Sequence, residues 1–230
     1  MPENNDFFPQ VMQRYAIYPP MSDTDVNPQF MAALLHAFEE KPFCATDFDP
    51  FSIGLIVDYI KRTHVYYLQK KLPEIEQSIL LLSGLYTSHH PILAALQNFF
   101  LRYCQDLTAH IQAEETKLLP YIDLLHRAAG EASITSFSEF IVACQQYSIS
   151  RFLDDHHDTE DELRDIRQTI RLYDPPATNE SLYRILLAQL QTFEQDLCVH
   201  AHIEDQVLIP KALQLESLLH KQMNKTAQFN

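Results

Sequence analysis

Two stretches of the chain carry histidine and carboxylate at matched spacing. Residues 110–120 read HIQAEETKLLP and residues 200–210 read HAHIEDQVLIP, 90 positions apart. Both follow the pattern His-x-x-x-Glu-acid-x-x-Leu-aliphatic-Pro. On an α-helix, residues i and i+4 are neighbours on one face. Each copy therefore points an imidazole and a carboxylate the same way: His110 with Glu114, and His200 with Glu204. Doubled nitrogen and oxygen donors aimed at a shared interior are the ligands of a transition-metal site. His64 and His157 add one core-facing imidazole each, so the sequence reads as two halves of a His followed by a His-x-x-x-Glu.

Four His and two Glu exceed what one four-coordinate zinc takes. They suit two metal ions, each bound by two His, with each Glu bridging. Imidazole with carboxylate favours iron, manganese or zinc over calcium or copper(I). Such ions keep open positions for water or a small ligand such as O2 or NO. A single core histidine is commonly a satisfied packing residue, so the argument rests on the set. Burying two unpaired carboxylates would cost on the order of several kcal/mol each. Bound metal supplies the counter-charge, and mutual His–Glu hydrogen bonding is the alternative. Glu115, Asp205, His156 and His202 flank the set and read as solvated or outer groups. Asp154 is spaced to hydrogen-bond His157, and Tyr67 is spaced to reach the site from His64.

These residues need helices to position them. Residues 1–25 are rich in Pro, Asn and Asp, lack periodicity and read as an extended arm. Residues 26–40 form a short amphipathic helix with Phe30, Leu34, Leu35 and Phe38 on one side and His36 beside them. The first long helix is expected to open at Asp49-Pro50, an N-cap and first-turn pair. It runs through Ile53, Ile56, Val57, Ile60 and His64, with Pro73 kinking or restarting it. The second runs from about Pro91 to Arg127 along Leu93, Leu96, Phe100, Tyr103, Leu107, His110, Glu114 and Leu118. The third starts at the capping box Ser136-x-x-Glu139 and carries Phe140, Tyr147 and His157 to a stop at Pro175-Pro176. The fourth runs from about Asn179 to Leu219 along Leu186, Leu190, Phe193, Leu197, His200, Glu204 and Leu208. The steps of three and four predict seams facing a common core.

The fold predicted is all-α: an up-down-up-down four-helix bundle with a short amino-terminal helical extension. Residues 1–48 form the arm and short helix, 49–219 the bundle, and 220–230 a frayed tail. With only 3 Gly among 230 residues, turn-rich β architectures are excluded. A net charge of -14 without a basic patch argues against direct nucleic-acid binding. No stretch reaches membrane-span length and the amino terminus lacks a signal-peptide pattern. Cys44, Cys104, Cys144 and Cys198 have no CxxC spacing and read as buried free thiols. The chain reads as cytoplasmic.

Over residues 50–217 the sequence resembles the hemerythrin-like family. HIQAEETKLLP and HAHIEDQVLIP match the family's helix-two and helix-four blocks. His157-Asp158 within DDHHDTEDEL resembles its helix-three ligand, and YIKRTHVYYLQKKLPEI its first-helix ligand region. Oxygen-carrying members have an additional helix-three His one turn away. Here Leu153 and Asp161 occupy the flanking positions, so the closest likeness is to the bacterial repair-of-iron-centres branch. That branch carries a Cys-Cys pair in its amino-terminal segment, whereas this chain has Cys44 alone. The resemblance implies two non-haem, carboxylate-bridged iron ions held by His64, His110, Glu114, His157, His200 and Glu204. It also implies a role in nitrosative or oxidative stress, with iron donation to damaged iron–sulfur proteins or binding of NO or O2. A sensor of O2, NO or iron, without catalysis, is the alternative. A ferritin-like oxidase fits less well, because that fold uses Glu-x-x-His pairs.

Overall fold

The structure, a computed structural model, describes residues 8–17, 27–39, 42–85, 91–130, 134–155 and 180–228. Every regular element among them is helical, as expected, and none of the helices is long and apolar enough to cross a membrane.

The amino-terminal segment departs from the extended arm expected. Phe8–Ile17 forms helix α1, and it buries Val11, Arg14 and Tyr15, an i, i+3, i+4 face. Ten residues, fewer than three helical turns, are too short for a periodic signal to stand out among the surrounding Pro, Asn and Asp. Helix α2 (Pro28–Glu39) begins where Asn27 Oδ1 accepts hydrogen bonds from the backbone N–H groups of Gln29 and Phe30, at 3.0 and 3.1 Å. It buries Phe30, Met31, Leu34 and Phe38, while Leu35 is only half-buried.

Asp49-Pro50 does not open the next helix. These residues follow a short 3-10 turn at Ala45–Phe48, and helix α3 is Ile53–Tyr66. Ser52 caps it, its Oγ accepting from the Leu55 N–H at 3.3 Å. Helix α4 is Leu72–Gly84, α5 Pro91–Ala113, α6 Leu119–Gly130, α7 Ile134–Ala143 and α8 Ile149–Asp155. Ser136 therefore lies inside α7 rather than at its cap. A turn separates α7 from α8, where Ser148 Oγ accepts from the Arg151 N–H at 3.2 Å. Helix α9 is Glu180–Ile203, and α10, Ile209–Gln228, runs on through the tail expected to fray. The stop at Pro175-Pro176 lies outside the described residues.

Three five-residue π-helical turns interrupt the long helices: Tyr67–Lys71, Glu114–Leu118 and Glu204–Leu208. Each ends two residues before a proline: Pro73, Pro120 and Pro210. A proline ring inside an α-helix clashes with the carbonyl four residues earlier and removes one N–H donor. The widened turn contains that carbonyl in all three cases. It lets the chain continue past the proline without breaking.

Contacts divide the chain into two compact units. One comprises Met1–Lys41, Arg62–Ile111 and Asp158–His200. Its core joins α4, α5 and α9 through Ile75, Ile79, Leu96, Phe100, Leu190 and Phe193. The other comprises Pro42–Lys61, Gln112–His157 and Ala201–Asn230. There α6 packs against α7 and α10, and α8 against α10. Glu216 on α10 is buried and ties these pieces together. Its Oε1 accepts the Tyr121 hydroxyl at 2.7 Å and the Ile149 N–H, at the start of α8, at 3.4 Å. Lys211 reaches the carbonyls of Asp49 and Phe51 at 3.1 and 3.3 Å.

The thiols also differ from expectation. All four are free, but Cys44 is exposed and the other three are half-buried.

Candidate metal centre

The π-helical turns fix the register of the candidate ligands. Glu114 and Glu204 each open one, and each is buried. Such turns inside α-helices commonly mark functional sites, because the local widening re-aims one side chain. Tyr67 opens the third turn and lies six residues before its proline, as Glu114 and Glu204 lie before theirs. By the same count Thr63 stands where His110 and His200 stand, and His64 is offset by one.

His64, Glu114 and His200 are each buried. The His64 and His200 rings meet edge to face, with centroids 5.1 Å apart. Two imidazoles packed together in a water-poor setting, with a carboxylate such as buried Glu114 as a further candidate donor, fit a divalent transition metal. The carboxylate gives an anionic donor, and neutral imidazole gives nitrogen donors of intermediate softness.

The other candidates are placed as follows. His110 is half-buried in the last turn of α5, and Glu204 is buried. His157 and His156 lie outside the described residues. Asp154 and Asp205 are exposed, Glu115 is half-buried, and half-buried His202 stacks on Phe43 at 5.1 Å.

Tyr67 does reach the site. Its ring stands edge-on to His200, with centroids 5.7 Å apart, and to Phe193 at 5.1 Å. Its hydroxyl donates to Asp196 Oδ1 at 2.9 Å. Asp196 is one helical turn before His200 on α9 and pairs with Arg14 of α1. Arg14 and Asp196 are 0% and 1% exposed, a depth at which ionised groups persist only when paired. Burial pushes the Asp196 carboxyl up, against the opposing pull of Arg14, the Tyr67 hydroxyl and Lys71. Sequence reasoning missed both Arg14 and Asp196. Asp196 could have been found at i−4 from His200, on the face that holds the candidate ligand. No sequence signal marked Arg14.

The Hemerythrin HHE cation binding domain family matches residues 56–212. The chain is similar to the iron-sulfur cluster repair protein ScdA of Staphylococcus haemolyticus, 23% identical over 156 residues, 68% of this chain and 65% of that protein. It is also similar to the ScdA of Staphylococcus epidermidis, 20% identical over 160 residues, 70% of this chain and 66% of that protein. The chain thus spans about 65% of the length of these relatives.

Proposed function

This chain belongs to the hemerythrin HHE cation-binding family, and on that footing we propose that it holds a non-haem di-iron centre used to repair iron–sulfur proteins. The observation that carries the proposal is the edge-to-face approach of two buried imidazoles, His64 and His200, with centroids 5.1 Å apart. In this reading His64, His110, His157 and His200 would supply nitrogen donors to the two ions, and Glu114 and Glu204 would supply carboxylate oxygen. Manganese or zinc would fit the same donors.

When bound, ferrous iron supplies exchangeable coordination positions and a transferable ion. The chain's own residues do the rest. His64 and His200, 1% and 7% exposed, keep bulk water from the donors. Glu114 and Glu204, both buried, would offset the positive charge of the ions, which would otherwise be costly to hold away from water. Tyr67 stands edge-on to His200 and is itself packed against Phe193, which limits how far the His200 ring can turn. Open positions on the ions would also admit NO or O2, which ties the reading to nitrosative and oxidative stress. The damaged partner would be a cytoplasmic iron–sulfur protein, and the similarity to proteins named for cluster repair supports this choice.

The test is restoration of an iron–sulfur enzyme whose cluster has been damaged by NO or peroxide. Iron-loaded protein should restore its activity beyond an equal amount of free ferrous iron, and His200→Ala should not. Equal recovery with free iron, alongside a conformational change of the protein on taking up NO or O2, would refute repair in favour of sensing.

A further inference from the structure

Arg14 is a charged residue spent in a place where packing alone would call for Met or Leu. Its Nε donates to Thr63 Oγ1 at 3.1 Å, its Nη2 pairs with Asp196 Oδ1, and its guanidinium lies 4.7 Å from the Tyr66 ring centre. Thr63 and Tyr67 are the α3 and π-turn positions that share the proline-counted register of His110/Glu114 and His200/Glu204. On the other two helices those positions carry the metal-ligand pair. Here they carry hydroxyls tied, directly or through Asp196, to a guanidinium delivered by α1.

The contacts form a chain with a direction. Arg14 fixes Asp196, and Asp196 Oδ1 accepts the Tyr67 hydroxyl. Tyr67, held at that end, presents its ring edge-on to His200 at 5.7 Å and 73°. A phenol free at its hydroxyl could rotate and shift along the core, and His200 would lose that wall. Groups that orient a ligand imidazole tune a metal site as strongly as many direct ligands do.

We propose that Arg14 is a positioning residue of the metal centre: through Asp196 and Tyr67 it sets the orientation of the His200 ring. The inference rests on the reading of His200 as a metal ligand. It makes α1 a working part of the site, although α1 lies outside the span that matches the family.

The test uses the full chain with Arg14→Met, Arg14→Lys and Tyr67→Phe. In metal-free protein, the imidazole 1H–15N spectrum reports His200 directly. Arg14→Met and Tyr67→Phe should both move the His200 signals and leave those of His220 in place, and Arg14→Lys should return them most of the way. In iron-loaded protein, Arg14→Met should lose iron to a chelator about 10- to 100-fold faster than the parent, at a temperature where both are folded. Unmoved His200 signals in a folded Arg14→Met protein overturn the proposal, whether or not iron binds. If Arg14→Met does not fold, unmoved signals in Tyr67→Phe overturn it equally. A parent protein that takes up no iron refutes the metal reading instead, and the metal-free spectra still decide the role of Arg14.

Discussion

Replacing Asp196 with alanine removes a small side chain but strands a buried cation. Arg14 is 0% exposed, and in the variant it would keep Thr63 Oγ1 and the faces of Tyr66 and Phe38 as partners. The space vacated by a carboxylate would by itself cost about 1 kcal/mol, on the scale of a few lost methyl-sized contacts. Breaking a buried pair by removing one partner costs about 3–5 kcal/mol. The charge effect therefore dominates. At about 2–4 °C per kcal/mol for a chain of this size, Asp196→Ala should lower Tm by about 6–20 °C. The double variant Arg14→Met/Asp196→Ala should recover most of that loss. Burial raises the Asp196 carboxyl more than Arg14, Tyr67 and Lys71 lower it, so desolvation outweighs what the pair returns. That ordering also sets a pH dependence. With the folded carboxyl above its unfolded value of about 4, the folded state holds the extra proton between the two values. The contribution is fully present below the unfolded value and is lost as pH rises through the folded one. The double variant should lack this slope. Urea and thermal unfolding followed by circular dichroism, across the four members of the cycle and from pH 4 to 8, measure all of it. A cost below about 1 kcal/mol for Asp196→Ala would refute the reasoning, as would a double variant as unstable as the sum of the singles.

Glu216→Ala should cost about 2–4 kcal/mol, because it leaves the Tyr121 hydroxyl and the Ile149 N–H buried without their acceptor. Amide exchange at Ile149 should quicken more than at Phe100, which lies in the other unit. Burial, with a smaller contribution from Glu76, pushes the Cys104 thiol up to about 12. Brief alkylation of folded protein at pH 8, read by mass spectrometry, should therefore label exposed Cys44 and spare Cys104. Saturating ferrous iron, at about 100 times its dissociation constant, should stabilise the protein by about 2.7 kcal/mol and raise Tm by about 5–10 °C. Glu114→Gln should abolish most of that rise, and an equal rise in both proteins would count against Glu114 as a donor.

The long helices were legible because their apolar steps of three and four run for many turns, as from Leu93 to Leu107 and from Leu186 to Leu197. The doubled His-x-x-x-Glu was legible because polar residues interrupted those same seams. The three π-helical turns were not, since widening a turn leaves composition unchanged. Their one visible trace is the proline two residues on, which had been read at Pro73 as a kink. The starts of α3 and α7 were misplaced because Asp49-Pro50 and Ser136-x-x-Glu139 fit cap patterns that Ser52 and the tertiary packing override. Arg14 was illegible for a different reason. Its partners, Thr63 and Asp196, lie 49 and 182 residues away, and only tertiary structure makes an arginine in a short helix part of a core.

The central claim is that the His and Glu donors hold two iron ions. Iron content of the purified chain, measured together with its visible absorption spectrum, tests it most directly. The account predicts about two irons per chain with bands typical of carboxylate-bridged ferric iron, both lost in His200→Ala. Protein that stays empty when offered ferrous iron without oxygen would contradict it, as would iron retained in full without His200.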